Sequence, residues 1–120
     1  MIDKLGEYLN FNSEALRLRS TRQQLLASNV VNAETPRYQA TDFDFARALR
    51  EATAQPASQS ASPRSAPATY DRSSYQPSLD GSTVDMDAER AHFVDNGLRY
   101  EAALRALNMQ IKTLLSAIQG

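Results

Sequence analysis

The chain has no cysteine, one histidine and only four glycines among its 120 residues. Without cysteine it can form neither disulfides nor thiolate metal sites. The glycines make no phosphate-binding loop, and His92 has no cysteine or nucleophilic serine motif to act with. We therefore expect a protein that is not an enzyme, with no cofactor and no small-molecule substrate.

The chain also lacks a long apolar run and an excess of charge of either sign. Thirteen basic and fourteen acidic residues give a net charge of -1, which provides no electrostatic basis for binding nucleic acid or an anionic membrane surface. No run of about 20 apolar residues is present to span a membrane. The first residues, MIDKLGEYLNFN, mix charged and apolar side chains, so we expect no cleavable signal peptide.

Aliphatic side chains are missing from the middle of the chain. Residues 51–77 contain no Leu, Ile, Val, Phe or Met, so this stretch cannot bury enough apolar surface to offset the entropy of ordering. We predict a flexible insertion rich in Ala, Ser and Pro, with Tyr70 and Tyr75 as its only anchors. A turn at Leu79-Asp80-Gly81 should then lead into the last helix.

Apolar residues in the last third of the chain follow a heptad pattern. They predict a helix over about residues 85–119, roughly 50 Å long, which a chain of this size cannot cover alone. The helix therefore needs a second helix, and we expect other copies of the chain to add contacts. The predicted apolar face comprises Phe93, Gly97, Tyr100, Leu104, Leu107, Ile111, Leu114 and Ile118.

Three acidic residues, Asp85, Asp87 and Glu89, lie at the predicted start of this helix. Residues two apart do not share a helix face, and the glycine and glutamate of a calcium loop are not in place. We predict helix capping and favourable interaction with the helix dipole instead of a metal site.

Residues 1–35 predict a second long amphipathic helix with a wide apolar face. It should end before Pro36, which lacks an N–H and restricts the preceding residue. Arg17, Arg19 and Arg22 form a small basic cluster, which we interpret as a solvated face or inter-subunit salt bridges rather than an anion site.

A turn and a short helix are predicted over residues 36–50. Thr41 or Asp42 should cap that helix. The predicted fold class is all-α, with two long terminal helices packed as an antiparallel coiled-coil-like pair around a loop-rich, partly disordered middle. One structural domain is expected, divided into residues 1–35, 36–50, 51–77 and 78–120.

The segment Ser28–Tyr38 resembles the N-terminal signature of the bacterial flagellar rod, hook and hook-filament axial proteins. In that signature two asparagines three apart end a helix and begin an Asn-x-x-Thr-Pro-x-Tyr turn. Arg37 stands where the family usually has glycine, and an arginine disfavours a turn with positive φ. The matching residues are Asn29, Asn32, Thr35, Pro36 and Tyr38.

Two further stretches narrow the resemblance. Residues 78–87 are similar to the segment that precedes the C-terminal helix of basal-body rod proteins. Residues 93–100 are similar to the B-type subunits of the proximal rod. The short chain agrees with this subfamily, since distal rod and hook relatives carry larger inserted domains.

The resemblance implies a structural subunit that the flagellar type III export apparatus secretes without cleavage. The subunit would polymerise into the basal-body rod, the drive shaft that crosses the periplasm. Implied partners are other copies of the chain, other proximal rod subunits, the rod-base adapter protein and the export gate. Phe11 and Ala15 match a weak Phe-x-x-x-Ala export pattern, although Phe11 is equally compatible with packing alone.

We expect the apolar faces of both helices to form the assembly interface. The alternative is a soluble coiled-coil adapter or chaperone of a secretion system, which would hold a client helix with the same face. A chaperone should be a folded dimer alone, whereas a rod subunit should be monomeric with poorly ordered ends until assembled. The predicted interface residues are Leu5, Leu9, Leu16, Leu26, Val30, Tyr100, Leu104, Leu107, Ile111, Leu114 and Ile118.

Overall fold

Two long helices dominate the structure, a computed structural model that describes residues 2–54, 67–72 and 84–120. The molecule is elongated, with principal extents of 63 × 27 × 18 Å. The predicted helical class, with long terminal helices packed together and a loop-rich middle, is confirmed. In chain order the elements are α1 (Ile2–Val31), β1 (Thr41–Phe43), α2 (Phe45–Ala54), β2 (Thr69–Asp71) and α3 (Met86–Gln119).

Hydrogen bonds at both ends of the helix pair establish that α1 and α3 run antiparallel. Near the C-terminus of α1, Asn29 Nδ2 donates to Glu89 Oε2 at 3.1 Å. Near its N-terminus, Asn12 Nδ2 donates to Gln110 Oε1 at 3.0 Å. The beginning of α1 therefore lies beside the second half of α3.

The start of α3 is capped as the acidic residues predict. Asp85 Oδ1 accepts hydrogen bonds from the backbone N–H groups of Asp87 and Ala88 at 3.2 and 3.3 Å. Glu89 lies in the first turn as predicted, but its side chain is also buried and bonded to α1, a role that was not predicted.

A tight turn follows α1. Thr35 N–H donates to Asn32 O at 3.0 Å, and Tyr38 N–H donates to Thr35 O at 3.2 Å. Arg37 has a φ of 64°, so the expectation that an arginine argues against positive φ here was wrong. The backbone reversal takes precedence over the side-chain preference, because it brings Thr41 back beside the end of α1.

The predicted caps of the short helix, Thr41 and Asp42, lie in strand β1 instead. The Asp42 carboxylate is already engaged by arginines, so it is not free to cap. Asp44 takes this role, since its Oδ1 accepts from Arg47 N–H at 3.2 Å.

Part of the stretch predicted to be flexible is ordered. Helix α2 continues to Ala54, and β2 pairs antiparallel with β1, with Asp42 opposite Tyr70. Tyr70 is exposed and is not the anchor; Arg72 is, and its N–H donates to Ala40 O at 2.6 Å. Residues 55–66 and 73–83, which include Tyr75 and the predicted Leu79-Asp80-Gly81 turn, lie outside the described residues.

The small apolar core lies where α1, β1 and α2 meet. Leu18, Phe43 and Ala48 are buried there, and Phe45 and Leu49 pack against them. The spacing of Phe45, Ala48 and Leu49 puts one apolar face of α2 against α1. This packing fixes β1 beside the C-terminal half of α1.

The conformation of Arg37 predicts that Arg37→Gly stabilises the subunit. A non-glycine residue in the left-handed region costs about 1–2 kcal/mol. Glycine removes this cost, but it also raises the conformational entropy of the unfolded chain, which offsets part of the gain. Urea unfolding should show a gain of about 0.5–1 kcal/mol. Gln39→Gly, at an exposed position without positive φ, should destabilise, and equal effects of the two would contradict this account.

Candidate functional site

The side-chain amide of Asn29 acts as a substitute for a neighbouring strand. Its Nδ2 donates to Thr41 O at 2.8 Å, and its Oδ1 accepts from Thr41 N–H at 3.1 Å. Asn29 is fully buried, and buried backbone groups need such partners. The first asparagine of the turn motif therefore joins α1 to β1.

The other motif residues brace the turn between these two elements. Tyr38 Oη donates to Asn29 Oδ1 at 3.2 Å. Asn32 Nδ2 donates to Ser28 O at 2.8 Å, and Thr35 Oγ1 lies 3.4 Å from Asn32 Oδ1. The spacing in the motif is thus the spacing that a self-contained hydrogen-bonded turn requires.

A buried ionic cluster extends from Asn29 to the middle of the chain. Arg22 donates from Nε and Nη2 to the two carboxylate oxygens of Asp42, each at 3.1 Å. Arg72 bridges the two acids, donating to Asp42 and to Glu89. Glu89 also accepts from Asn29. These five side chains, here called the polar cluster, connect α1, β1, α3 and the residue after β2.

Charge balance keeps the Asp42 carboxyl ionised. Burial alone would raise its pKa, but hydrogen bonds from Arg22 and from the Phe43 N–H, with the positive charges of Arg22 and Arg72, bring the pKa below its usual value. The hydrogen bond to Asp42 likewise raises the pKa of Arg22 against the opposing effect of burial. The pair is therefore a structural ion pair at neutral pH.

The basic cluster predicted on α1 is used within the chain. Arg17 pairs with Glu14, with Nε and Oε2 3.0 Å apart, and Arg22 pairs with Asp42. The Arg19 guanidinium carbon lies 3.8 Å from the ring centre of Phe45, a cation–π contact. Burial, followed by repulsion from Arg99 and Arg22, lowers the pKa of Arg19. The interpretation as a solvated or inter-subunit face was therefore wrong for these contacts.

The face of α3 that packs on α1 differs in part from the predicted apolar face. Asn96 and Gln110 bond to α1, whereas Leu104, Ile111 and Ile118 are 37, 42 and 81% exposed. Hydrogen bonds to polar groups of α1 rotate the helix away from the face with the most apolar residues. The side chains of α3 that are at least half-buried from Phe93 onward are Phe93, Asn96, Tyr100, Ala103, Leu107, Gln110 and Leu114.

The exposed apolar residues of α3 form a stripe beside this interface. Leu104, Ile111, Leu115 and Ile118 recur at helical spacing, and all are exposed. We call these four residues the outer stripe.

The N-terminal half of α1 also exposes apolar side chains. Leu5, Tyr8 and Phe11 are 40, 54 and 45% exposed. Leu5, Tyr8 and Leu9 line a groove with Met109 and Leu114 of α3. The open end of the helix pair is therefore apolar, and the opposite end holds the polar cluster.

The remaining predicted interface and export residues fall into two groups. Leu26 is fully buried by its own chain. The others are half-buried: Leu9, Ala15, Leu16, Val30, Tyr100, Leu107 and Leu114.

Two classes of site are missing from the described residues. No group of three histidine, aspartate or glutamate side chains there is arranged to hold a metal ion. No helix within the described ranges has the length and hydropathy of a membrane span.

The roles of Asp42, Glu89 and Arg72 in the polar cluster were not predicted from the sequence. The role of Asp42 could have been inferred, because an aspartate beside the apolar Phe43 in a buried strand needs a partner for its charge. The role of Arg72 could not, since it lies in a stretch of low-complexity composition. Arg72 lies 17 residues before Glu89 and 30 residues after Asp42 in the sequence, and only the fold brings the three side chains together.

Arg72→Met should destabilise the subunit by about 2–4 kcal/mol, because it leaves two buried carboxylates short of a cation. Chemical unfolding of the purified chain measures the loss. The matched control is Arg47→Met, which breaks an exposed pair with Glu51 and should cost less than about 0.5 kcal/mol. Similar losses of unfolding free energy in both variants would show that the polar cluster stabilises the subunit no more than an exposed ion pair does.

The lowered pKa of Asp42 predicts a defined acid dependence. The folded-state pKa lies below the unfolded value of 3.8, so the stabilisation is complete above that value and disappears as the pH falls through the folded pKa. The difference in unfolding free energy between wild type and Asp42→Asn should therefore be large near pH 7 and shrink below about pH 4. A difference that does not vary with pH would contradict an ionised Asp42.

Comparison with known proteins places the chain in one family. It is 46% identical to the flagellar basal body rod protein FlgB of Escherichia coli strain K12, in an alignment that covers 100% of this chain and 99% of the relative. Identity to FlgB of Salmonella typhimurium is 43%, with the same coverage. Identity to FlgB of Cereibacter sphaeroides is 39%, over 95% of each chain. No protein-family model matches the chain.

The matches cover nearly the whole length of this chain and of each relative. The chain therefore belongs to the FlgB family of flagellar basal body rod proteins and is a structural subunit of the basal-body rod.

Proposed function

We propose that this chain is exported by the flagellar type III apparatus and assembles by helix packing into the proximal rod, part of the drive shaft that crosses the periplasm. The observation that carries the proposal is the outer stripe together with the apolar open end of the helix pair. A monomer that exposes these side chains along one helix gains by burying them against neighbouring subunits.

The mode of assembly follows from the geometry of the exposed surfaces. The outer stripe lies on α3, whereas Leu5, Tyr8 and Phe11 lie on α1. Two different surfaces on one subunit support heterologous contacts, which generate helical filaments when they do not close into a ring. We propose that other copies of this chain and other proximal rod subunits occupy them, with the rod-base adapter and the export gate at the lower end.

The chaperone alternative has less support than the rod subunit. The turn motif of this chain resembles that of rod proteins, and the relatives that match its whole length are rod proteins. Its work in the rod is mechanical rather than chemical, so we propose no enzyme activity, cofactor or substrate. Torque would pass through packed helices, and the polar cluster would hold each subunit rigid under that load.

Ile111→Asp should block assembly without blocking export. Ile111 is 42% exposed in the subunit, so a carboxylate is tolerated there until a neighbour covers it. Burying an aliphatic side chain is worth about 1.5–3 kcal/mol, and an unpaired buried carboxylate costs more. Complementation of a null strain, with basal bodies counted by electron microscopy, should therefore yield none.

Lys112→Asp is the matched control for this test. Lys112 is exposed and outside the outer stripe, and a surface charge pair is worth at most about 1 kcal/mol. This variant should assemble. Equal numbers of basal bodies from the two variants would remove the support for a buried outer stripe.

We propose that the export signal lies in the N-terminal half of α1 and includes the Phe-x-x-x-Ala pattern formed by Phe11 and Ala15. Phe11 is 45% exposed, so it is accessible in part even in the folded subunit. Phe11→Ala should lower the secreted amount while the cytoplasmic amount is unchanged, as measured by immunoblots of both fractions. An unchanged secreted fraction would leave Phe11 with a packing role alone.

A further inference from the structure

Asn96 is a fully buried polar residue in the middle of the helix pair. Its Nδ2 donates to the backbone oxygen of Arg19 at 2.9 Å and to Gln23 Oε1 at 2.7 Å. Its Oδ1 is buried without a hydrogen-bond partner among the described residues. A buried acceptor without a partner costs free energy, so stability alone does not account for an asparagine at this position.

Two other polar residues occupy the same position in the heptads of α3. Glu89 lies one heptad before Asn96, and Gln110 lies two heptads after it. Glu89 accepts from Asn29, and Gln110 is bonded to Asn12 and Tyr8, each at 3.0 Å. We call Glu89, Asn96 and Gln110 the polar rungs. The intervening position in this series is Ala103.

The apolar residues of the interface cannot define the register of the two helices. Phe93, Tyr100, Leu107 and Leu114 recur every seven residues. If α3 slid along α1 by one heptad, about 10 Å, each of these side chains would move to the level of the next. The apolar contacts would be largely restored, so these contacts alone would hardly distinguish the slipped pair from the native one.

The polar rungs do not share this degeneracy. A slip of one heptad toward Ala103 takes Asn96 away from the Arg19 carbonyl and Gln23, and it takes Gln110 away from Asn12. Donors and acceptors that were paired are then left buried without partners, which is the costly case. A single buried asparagine is known to set register in coiled coils by the same physics.

We propose that Asn96, supported by Gln110 and Glu89, is the register-determining residue of the α1–α3 pair. It holds the two helices at one axial offset, and so fixes where the outer stripe of α3 lies relative to the apolar side chains of α1. The proposal does not depend on export or on the neighbours in the rod. It concerns the fold of one subunit.

Distance measurement between two spin labels tests this directly. The chain has no cysteine of its own, so Gln24→Cys and Lys112→Cys, both at exposed positions, accept labels uniquely. Pulsed electron paramagnetic resonance on the full-length labelled chain should give one narrow distance. Adding Asn96→Leu should produce a second population displaced by about 10 Å, because losing about 1.4 kcal/mol of preference changes the ratio of registers about tenfold.

Asn108→Leu is the matched control, the same chemical change at an exposed position of α3, and should keep the single distance. Helical circular dichroism is recorded for every variant, since a slipped pair retains its helical signal and an unfolded one loses it. If Asn96→Leu unfolds, Gln110→Leu decides in its place and should also add the second population. A single native distance in the folded Leu variant, or a broad distribution in the labelled parent, would overturn the proposal.

Discussion

Buried polar groups need partners, and where the turn meets both long helices the side-chain amide of Asn29 supplies several of them. Asn29 pairs with both backbone groups of Thr41 and with the carboxylate of Glu89. It therefore joins the end of the first helix, the strand that follows the turn and the start of the last helix. Removing any of these segments leaves the other two with unsatisfied buried groups, which gives the fold its cooperativity at this end.

The polar cluster and the exposed apolar residues divide the molecule into two ends with different tasks. Arg22, Arg72, Asp42 and Glu89 neutralise one another where the middle of the chain meets both helices. At the opposite end the helix pair exposes apolar side chains, among them Leu5, Ile111 and Ile118. This division is compatible with the proposed assembly, in which neighbouring subunits would cover the apolar end while the polar end is complete within the chain.

Sequence periodicity predicted the two long helices and their pairing, and the acidic residues at the start of α3 predicted the cap at Asp85. These features depend on local chemistry and on the total apolar content of each helix, both of which are visible in a single chain. The face of α3 was predicted only in part, because hydrogen bonds from Asn96 and Gln110 to α1 outweigh the apolar count. Arg72 could not be predicted, since its partners are distant in sequence.

The turn after α1 illustrates a different limit of sequence-based prediction. The resemblance located the turn correctly, yet the arginine at position 37 suggested the wrong backbone conformation. A local preference of about 1–2 kcal/mol yields to the several hydrogen bonds that the reversal makes possible around Asn29. Residue preference was thus a poor guide where tertiary contacts were numerous.

A map of the assembled rod at side-chain resolution tests the central claim most directly. The account predicts that Leu104, Ile111, Leu115 and Ile118 lie within about 4 Å of apolar side chains of neighbouring subunits. It also predicts that Asn29 keeps its bonds to Thr41 and Glu89 within each subunit. The account would be contradicted if these four side chains faced solvent in the assembled rod, or if the Asn29 contacts were replaced by contacts between subunits.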